Sequence, residues 1–142
     1  MKYNFQKYKY LCKNVEELPI PWQPHVYAML QQLDKLARPK FIPLFIFNFL
    51  DKILSNFRRR FDILYIKTNF ATLRIGHSIL NTEAVNIINK TITRCNNTCE
   101  FCGNVNTTHV MVKSWLRNLC TTCKETKQYG SNIRNSTSNT KC

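Results

Sequence analysis

Apolar residues first recur at helical spacing between Pro24 and Ala37, where Val26, Met29, Leu30, Leu33 and Leu36 line up on one face. Pro24 suits the first turn of a helix, because its missing N–H has no partner to lose there, and Pro39 stops the pattern. A helix is therefore expected over 24–37. A broader stripe follows, made by Ile42, Phe45, Ile46, Phe49, Leu50, Ile53, Leu54 and Phe57. It predicts a largely buried helix starting near Pro43, although its aromatic and β-branched content also permits a strand early on. From Phe61 the period changes to two. Residues 61–67 and 71–77 alternate around the polar break Thr68-Asn69, which predicts a β-hairpin or a strand with a tight turn. Thr82 followed by Glu83 reads as an N-cap and a first-turn acid, and Val85, Ile88 and Ile92 carry a helical stripe to about Arg94.

The two ends of the chain are patterned differently. Tyr3, Phe5, Tyr8 and Tyr10 alternate with lysines near the start. They could offer a stacking surface for bases, but rings packed on the core are the simpler reading. Beyond the third helix, Val110, Val112, Trp115, Leu116 and Leu119 are the sizeable apolar residues, expected to cover one side of a hairpin. From Lys127 the composition falls to Ser, Thr, Asn, Gly and Lys, and a disordered tail over 127–142 is expected.

Composition adds a charge argument. The chain has 142 residues, of which 44% are apolar, and its 21 Lys and Arg against eight acids give a formal charge of +13. Such a surplus points to an acidic partner: nucleic acid, an acidic protein surface or an anionic membrane. Coding bias would enrich Lys, but it explains neither the scarcity of acids nor the run Arg58-Arg59-Arg60. Those arginines also sit where a helix C-terminus favours cations, whatever their function. The N-terminal 13 residues lack an apolar run of the signal-peptide kind, and the stretch 41–54 is interrupted by Pro43, Asn48, Asp51 and Lys52. A cytoplasmic protein with reduced thiols and no membrane partner is expected. With three glycines in the chain, a loop cradling a nucleotide is disfavoured and no small-molecule substrate is indicated.

The strongest chemical signal is the pair of motifs Cys99-Glu-Phe-Cys102 and Cys120-Thr-Thr-Cys123, with 17 residues between them. Each C-x-x-C brings two sulfurs together from one turn, and Gly103 suits the backbone reversal after the first. The intervening segment is long enough to run out and back as a hairpin, so four thiolates can meet at one Zn²⁺ ion. Two disulfides are the rival reading, for which nothing else indicates an oxidising compartment. A four-thiolate site has no open position for water or substrate, so its work is structural. His25, His77 and Cys95 fit surface or packing roles better than ligation, and Cys12 and Cys142 have no partner that spacing identifies.

The stretch Ile66-Lys67-Thr68-Asn69-Phe70-Ala71-Thr72-Leu73-Arg74-Ile75 resembles a phrase in small uncharacterised bacterial and phage proteins, approximately Gln-Ile-Lys-Glu-Lys-Phe-Gly-x-Leu-Arg-Phe-Tyr. In that group a Trp-initiated helix precedes it, and a helix, a Cys-x-x-Cys-Gly and a Trp-Leu-x-x-Leu-Cys element follow. Trp22, residues 82–94, Cys99 to Gly103 and Trp115 to Cys120 stand in that order here. Ala71 replaces the usual Gly, and Thr68-Asn69 replaces Glu-Lys. The resemblance implies an architecture and a prokaryotic or phage origin, not a mechanism. A weaker one is to HNH nucleases, through Cys99 to Gly103, His109-Val110 and Asn118 to Cys123, whose treble-clef core can carry a stapling zinc. Thr108 stands where that family has the first of two paired histidines, and Lys124 follows the last cysteine where a His is expected. With those roles missing, the resemblance implies a degenerate treble clef rather than catalysis.

These readings combine into an α+β protein. A helical and hairpin body over 1–80 is followed by a helix and a treble-clef or ribbon-like zinc segment over 81–126. The expected function is non-enzymatic binding of nucleic acid, mainly through phosphate contacts from Arg58, Arg59, Arg60, Lys67, Arg74, Lys113, Arg117 and Lys124. The alternative is an interaction protein of phage or mobile-element origin, an anti-defence or regulatory inhibitor docking on a nucleic-acid-binding host machine. An HNH-like nuclease is a remote third.

Overall fold

The computed structural model describes residues 3–38, 43, 45–46 and 62–129. The stripe over 41–57 and the run Arg58, Arg59, Arg60 therefore lie outside the described residues, apart from three isolated positions. Helix α1 spans Gln23–Ala37 and follows a single 3-10 turn, Ile20–Trp22. Its apolar stripe is buried as the spacing requires, with Val26, Met29, Leu30 and Leu33 all enclosed. Strands β1 (Ile63–Asn69) and β2 (Thr72–His77) form an antiparallel hairpin, and α2 (Thr82–Asn96) packs against β2 and α1. A second hairpin, β3 (Thr108–Val112) with β4 (Trp115–Leu119), leads into α3 (Thr121–Tyr129). The α+β class is as the sequence predicts, with two separate two-stranded sheets.

One core unites the first part. Trp22, Val26, Leu30 and Leu33 from α1 meet Ile63, Ile66 and Leu73 from the hairpin and Ala84, Ile88 and Cys95 from α2. The N-terminal aromatics pack inward as expected: Tyr8 and Tyr10 are buried, and Tyr3, Phe5 and Tyr8 surround Tyr27 with ring centroids 5.2–6.0 Å away. Residues 11–16 then run parallel to β1, with Ile63 N–H donating to the Leu11 carbonyl and Ile66 N–H to that of Asn14, both at 2.9 Å. The Tyr10 hydroxyl donates to Asp34, which also takes two bonds from Arg38 at 3.0 Å. This buried carboxylate is thereby paired and hydrogen-bonded, as burial of a charge demands.

Local differences from the sequence reading have clear causes. The β1–β2 turn lies at Phe70-Ala71, not at the polar pair Thr68-Asn69. Those two residues stay in the ladder, opposite Leu73 and Thr72. Phe70 and Ala71 both have positive φ (49° and 60°), the geometry that lets a two-residue loop match the strand twist. The N-cap of α2 is Asn81, whose side chain accepts from Ala84 N–H at 2.9 Å, so Thr82 is the first helical residue rather than the cap. Helix α3 continues to Tyr129, three residues into the stretch expected to be disordered tail; the rest of that stretch is outside the described residues. At Gly76 a Cβ would lie 2.4 Å from the ring of Tyr65, so only glycine lets that ring cross the neighbouring strand.

Candidate metal centre

The unit that gathers the four cysteines is built in three steps along the chain. After α2, Thr98 N–H bonds the Cys95 carbonyl and Thr98 Oγ1 the Arg94 carbonyl, ending the helix. The chain then folds back on itself. Cys99 N–H donates to the Asn104 carbonyl (2.8 Å) and Gly103 N–H to the Cys99 carbonyl (3.1 Å), with Gly103 at φ 81°. This knuckle turns Cys99 and Cys102 toward one point. The β3–β4 hairpin then delivers Cys120 just past its end and Cys123 in the first turn of α3. A knuckle, a hairpin and a helix that begins at the second pair thus carry the four cysteines.

The four Sγ atoms of Cys99, Cys102, Cys120 and Cys123 lie within 4.8 Å of one another, with Cys102 and Cys120 at 3.5 Å. A tetrahedral Zn²⁺ with bonds of about 2.3 Å sets its sulfurs roughly 3.8 Å apart, so this donor set needs little adjustment to hold one. The cysteines are free thiols and not disulfides. All but Cys102 are buried. Burial pushes the Cys99 thiol up, but backbone N–H groups of Cys102, Cys120 and Phe101 outweigh it and bring it down to about 7. Burial holds the Cys102 thiol above its ordinary value. The N-terminus of α3 adds a favourable dipole at the second pair. Cys95 is remote from this set in its role: it lies in the core of the body, its thiol pushed up to about 12 by burial.

Polar groups to which the sequence reading gave no such task dock this unit on the body. Asn118, only 1% exposed, donates through Nδ2 to the carbonyls of Asn96 (2.6 Å) and Thr98 (3.4 Å). Its backbone N–H donates to Glu100 Oε1 at 2.9 Å. Asn96 reaches the other way, its Oδ1 accepting from Leu73 N–H at 2.8 Å. Trp22 Nε1 donates to the Thr98 carbonyl at 2.8 Å, tying the start of α1 to the knuckle. A buried Asn leaves no periodic mark in a sequence; its adjacency to Leu119-Cys120 was the available hint.

Of the predicted partner-binding cations, the structure brings together Lys67 and Arg74, which face each other across the β1–β2 ladder. Lys67 Nζ also lies 5.0 Å from the centre of the Tyr65 ring. Lys113 sits in the β3–β4 turn and Lys124 on α3. Arg117 is ion-paired with Glu100 at 3.2 Å. Trp115 departs from expectation. It does not cover the metal hairpin but stands 71% exposed, while Leu119 and Val112 pack against the cysteines.

Among the described residues no helix is long and apolar enough to cross a membrane. Comparison of the chain with known protein families, with curated proteins and with solved structures finds no significant match.

Proposed function

We propose that the chain is a non-enzymatic zinc protein that binds nucleic acid mainly through phosphate contacts. The convergence of four free thiols on one point carries the first half. Thiolate softness and tetrahedral spacing favour zinc over harder ions in a reducing compartment. Four sulfurs fill the coordination shell, so the ion staples the knuckle, the hairpin and the start of α3 and offers no site to a reactant. The Asn118 amide, in the position that prompted comparison with HNH nucleases, holds two carbonyls and so has an architectural task.

The second half is supported by charge. At +13, with Lys67 and Arg74 side by side on one strand pair, the chain favours a polyanion. Titration of labelled duplex and single-stranded oligonucleotides across salt tests it. Affinity should fall log-linearly with salt, releasing about 0.9 counterion per duplex phosphate neutralised, and should tolerate scrambled sequence. Absence of binding to any strand at low salt would refute this half and leave a protein surface as the partner.

A further inference from the structure

Both hairpins end in two-residue turns whose central residues have positive φ, and neither turn contains glycine. They are Phe70-Ala71 (49° and 60°) and Lys113-Ser114 (49° and 67°). Such turns favour Asn-Gly, and an L-residue in the left-handed region is strained. Phe70 carries a second cost, because its ring is 74% exposed. The fold has no use for a phenyl ring at that position.

Both turns line one depression of about 860 Å³, and exposed apolar side chains line it with them. Phe70 and Trp115 line it together with Met111, Phe101 and Ile20, each mostly exposed. Scattered surface apolar residues are ordinary, but here they come from separate parts of the chain and share one wall. Thr68, Asn69 and Ser114 add hydrogen-bonding groups at the rim. A second depression adjoins through Glu17 and Leu18, which line both. Its wall carries Lys9, Lys13 and Lys67 against Glu16 and Glu17, with Tyr65 among them. In the first depression Glu100 is already neutralised by Arg117. One end of the trough is thus aromatic, and the other carries three lysines against two glutamates, one positive charge in excess.

We infer that this trough seats a single-stranded nucleic acid, with unpaired bases stacked on Phe70 and Trp115 and the phosphates directed toward Lys9, Lys13 and Lys67. Aromatic platforms beside a basic track are how proteins hold single strands without reading sequence, and every base offers a π-face. An apolar peptide would fill the aromatic end equally well, but it would leave the lysine end and the surplus charge unanswered. This assignment rests on the nucleic-acid reading above and adds strand form and location to it.

The test uses the full zinc-loaded chain with 12-nucleotide oligo-dT and oligo-rU and a duplex of matching length. Trp22 is wholly buried, so quenching of emission by added strand reports Trp115. Trp115→Ala and Phe70→Asn are compared with wild type. Asn suits the turn conformation at position 70, so that variant should melt no lower than wild type. The expected result is quenching by single strands and a loss of about tenfold or more in single-strand affinity for each variant. Duplex binding through phosphates should change less than twofold. Unaltered single-strand affinity in both variants would overturn the trough and leave phosphate binding standing. No binding to any strand would overturn both readings. A protein partner lost by Trp115→Ala, with oligonucleotide affinity unchanged, would overturn the trough as a site for bases.

Discussion

Replacing Cys120 by Ser should unfold the metal unit and spare the body, because the two have different sources of stability. Among the described residues, the apolar side chains packed around the cysteines are few: Leu119 is wholly enclosed and Val112 is partly covered. Fully burying Leu119 is worth about 1.5–3 kcal/mol, and the partial cover of Val112 adds less than that. Zinc in small finger peptides supplies roughly 10–16 kcal/mol, more than this packing, and one lost thiolate of four removes about 2.5–4 kcal/mol. That loss is comparable to all the apolar stabilisation the unit has. The body keeps its own core of Trp22, Leu30, Leu33, Ile63, Ile66, Leu73 and Ile88. Hydrogen exchange read by mass spectrometry on wild type, chelator-treated wild type and Cys120→Ser checks this. Amides over 98–126 should lose protection while those of α1 and β1 keep theirs. A protected β3–β4 hairpin in the metal-free variant would refute the reasoning, and so would loss of protection throughout, which would make body and metal unit one cooperative structure.

Three further outcomes follow from individual contacts. Asn118→Ala removes the donor to Asn96 and Thr98 and should cost about 2 kcal/mol of stability, measured by urea denaturation, while leaving metal content unchanged. Cys12 and Cys95 are buried, their thiols pushed up to about 11 and about 12, so alkylation mapping of the native metal-bound protein should leave both unmodified until it unfolds. His25 is held below its ordinary value of 6.5 by burial and then by Arg94. The folded state therefore binds fewer protons than the unfolded one, and stability present above 6.5 should be lost as pH falls through the lowered folded value. His25→Gln should flatten that loss in denaturation curves between pH 7.5 and 5, and identical pH dependence in both proteins would contradict the assignment.

What the sequence reveals depends on whether a feature is periodic or locally encoded. Helix α1 is legible because Val26, Met29, Leu30 and Leu33 repeat with the helical period and Pro24 and Pro39 punctuate it. The metal site is legible because C-x-x-C geometry is local and needs only a hairpin between the pairs. The β1–β2 turn is misplaced by two residues, since Phe70-Ala71 has none of the residues that favour positive φ, whereas Thr68-Asn69 looks like a turn. Asn81 and Thr82 are both good caps, and only the backbone decides between them. Asn96 and Asn118 hide for another reason: a polar residue buried for its hydrogen bonds resembles any surface polar residue in sequence. Trp115 is the converse, an aromatic residue whose size suggests a core position and whose strand turns it to solvent.

We propose that Cys99, Cys102, Cys120 and Cys123 hold one zinc ion with no other ligand. Native mass spectrometry of protein purified without added metal, with elemental analysis of the same sample, tests it most directly. One zinc per folded chain is expected, and none in the Cys120→Ser variant. A folded wild-type protein that carries no metal, or one whose Cys99 and Cys102 are joined by a disulfide in reducing buffer, would contradict it.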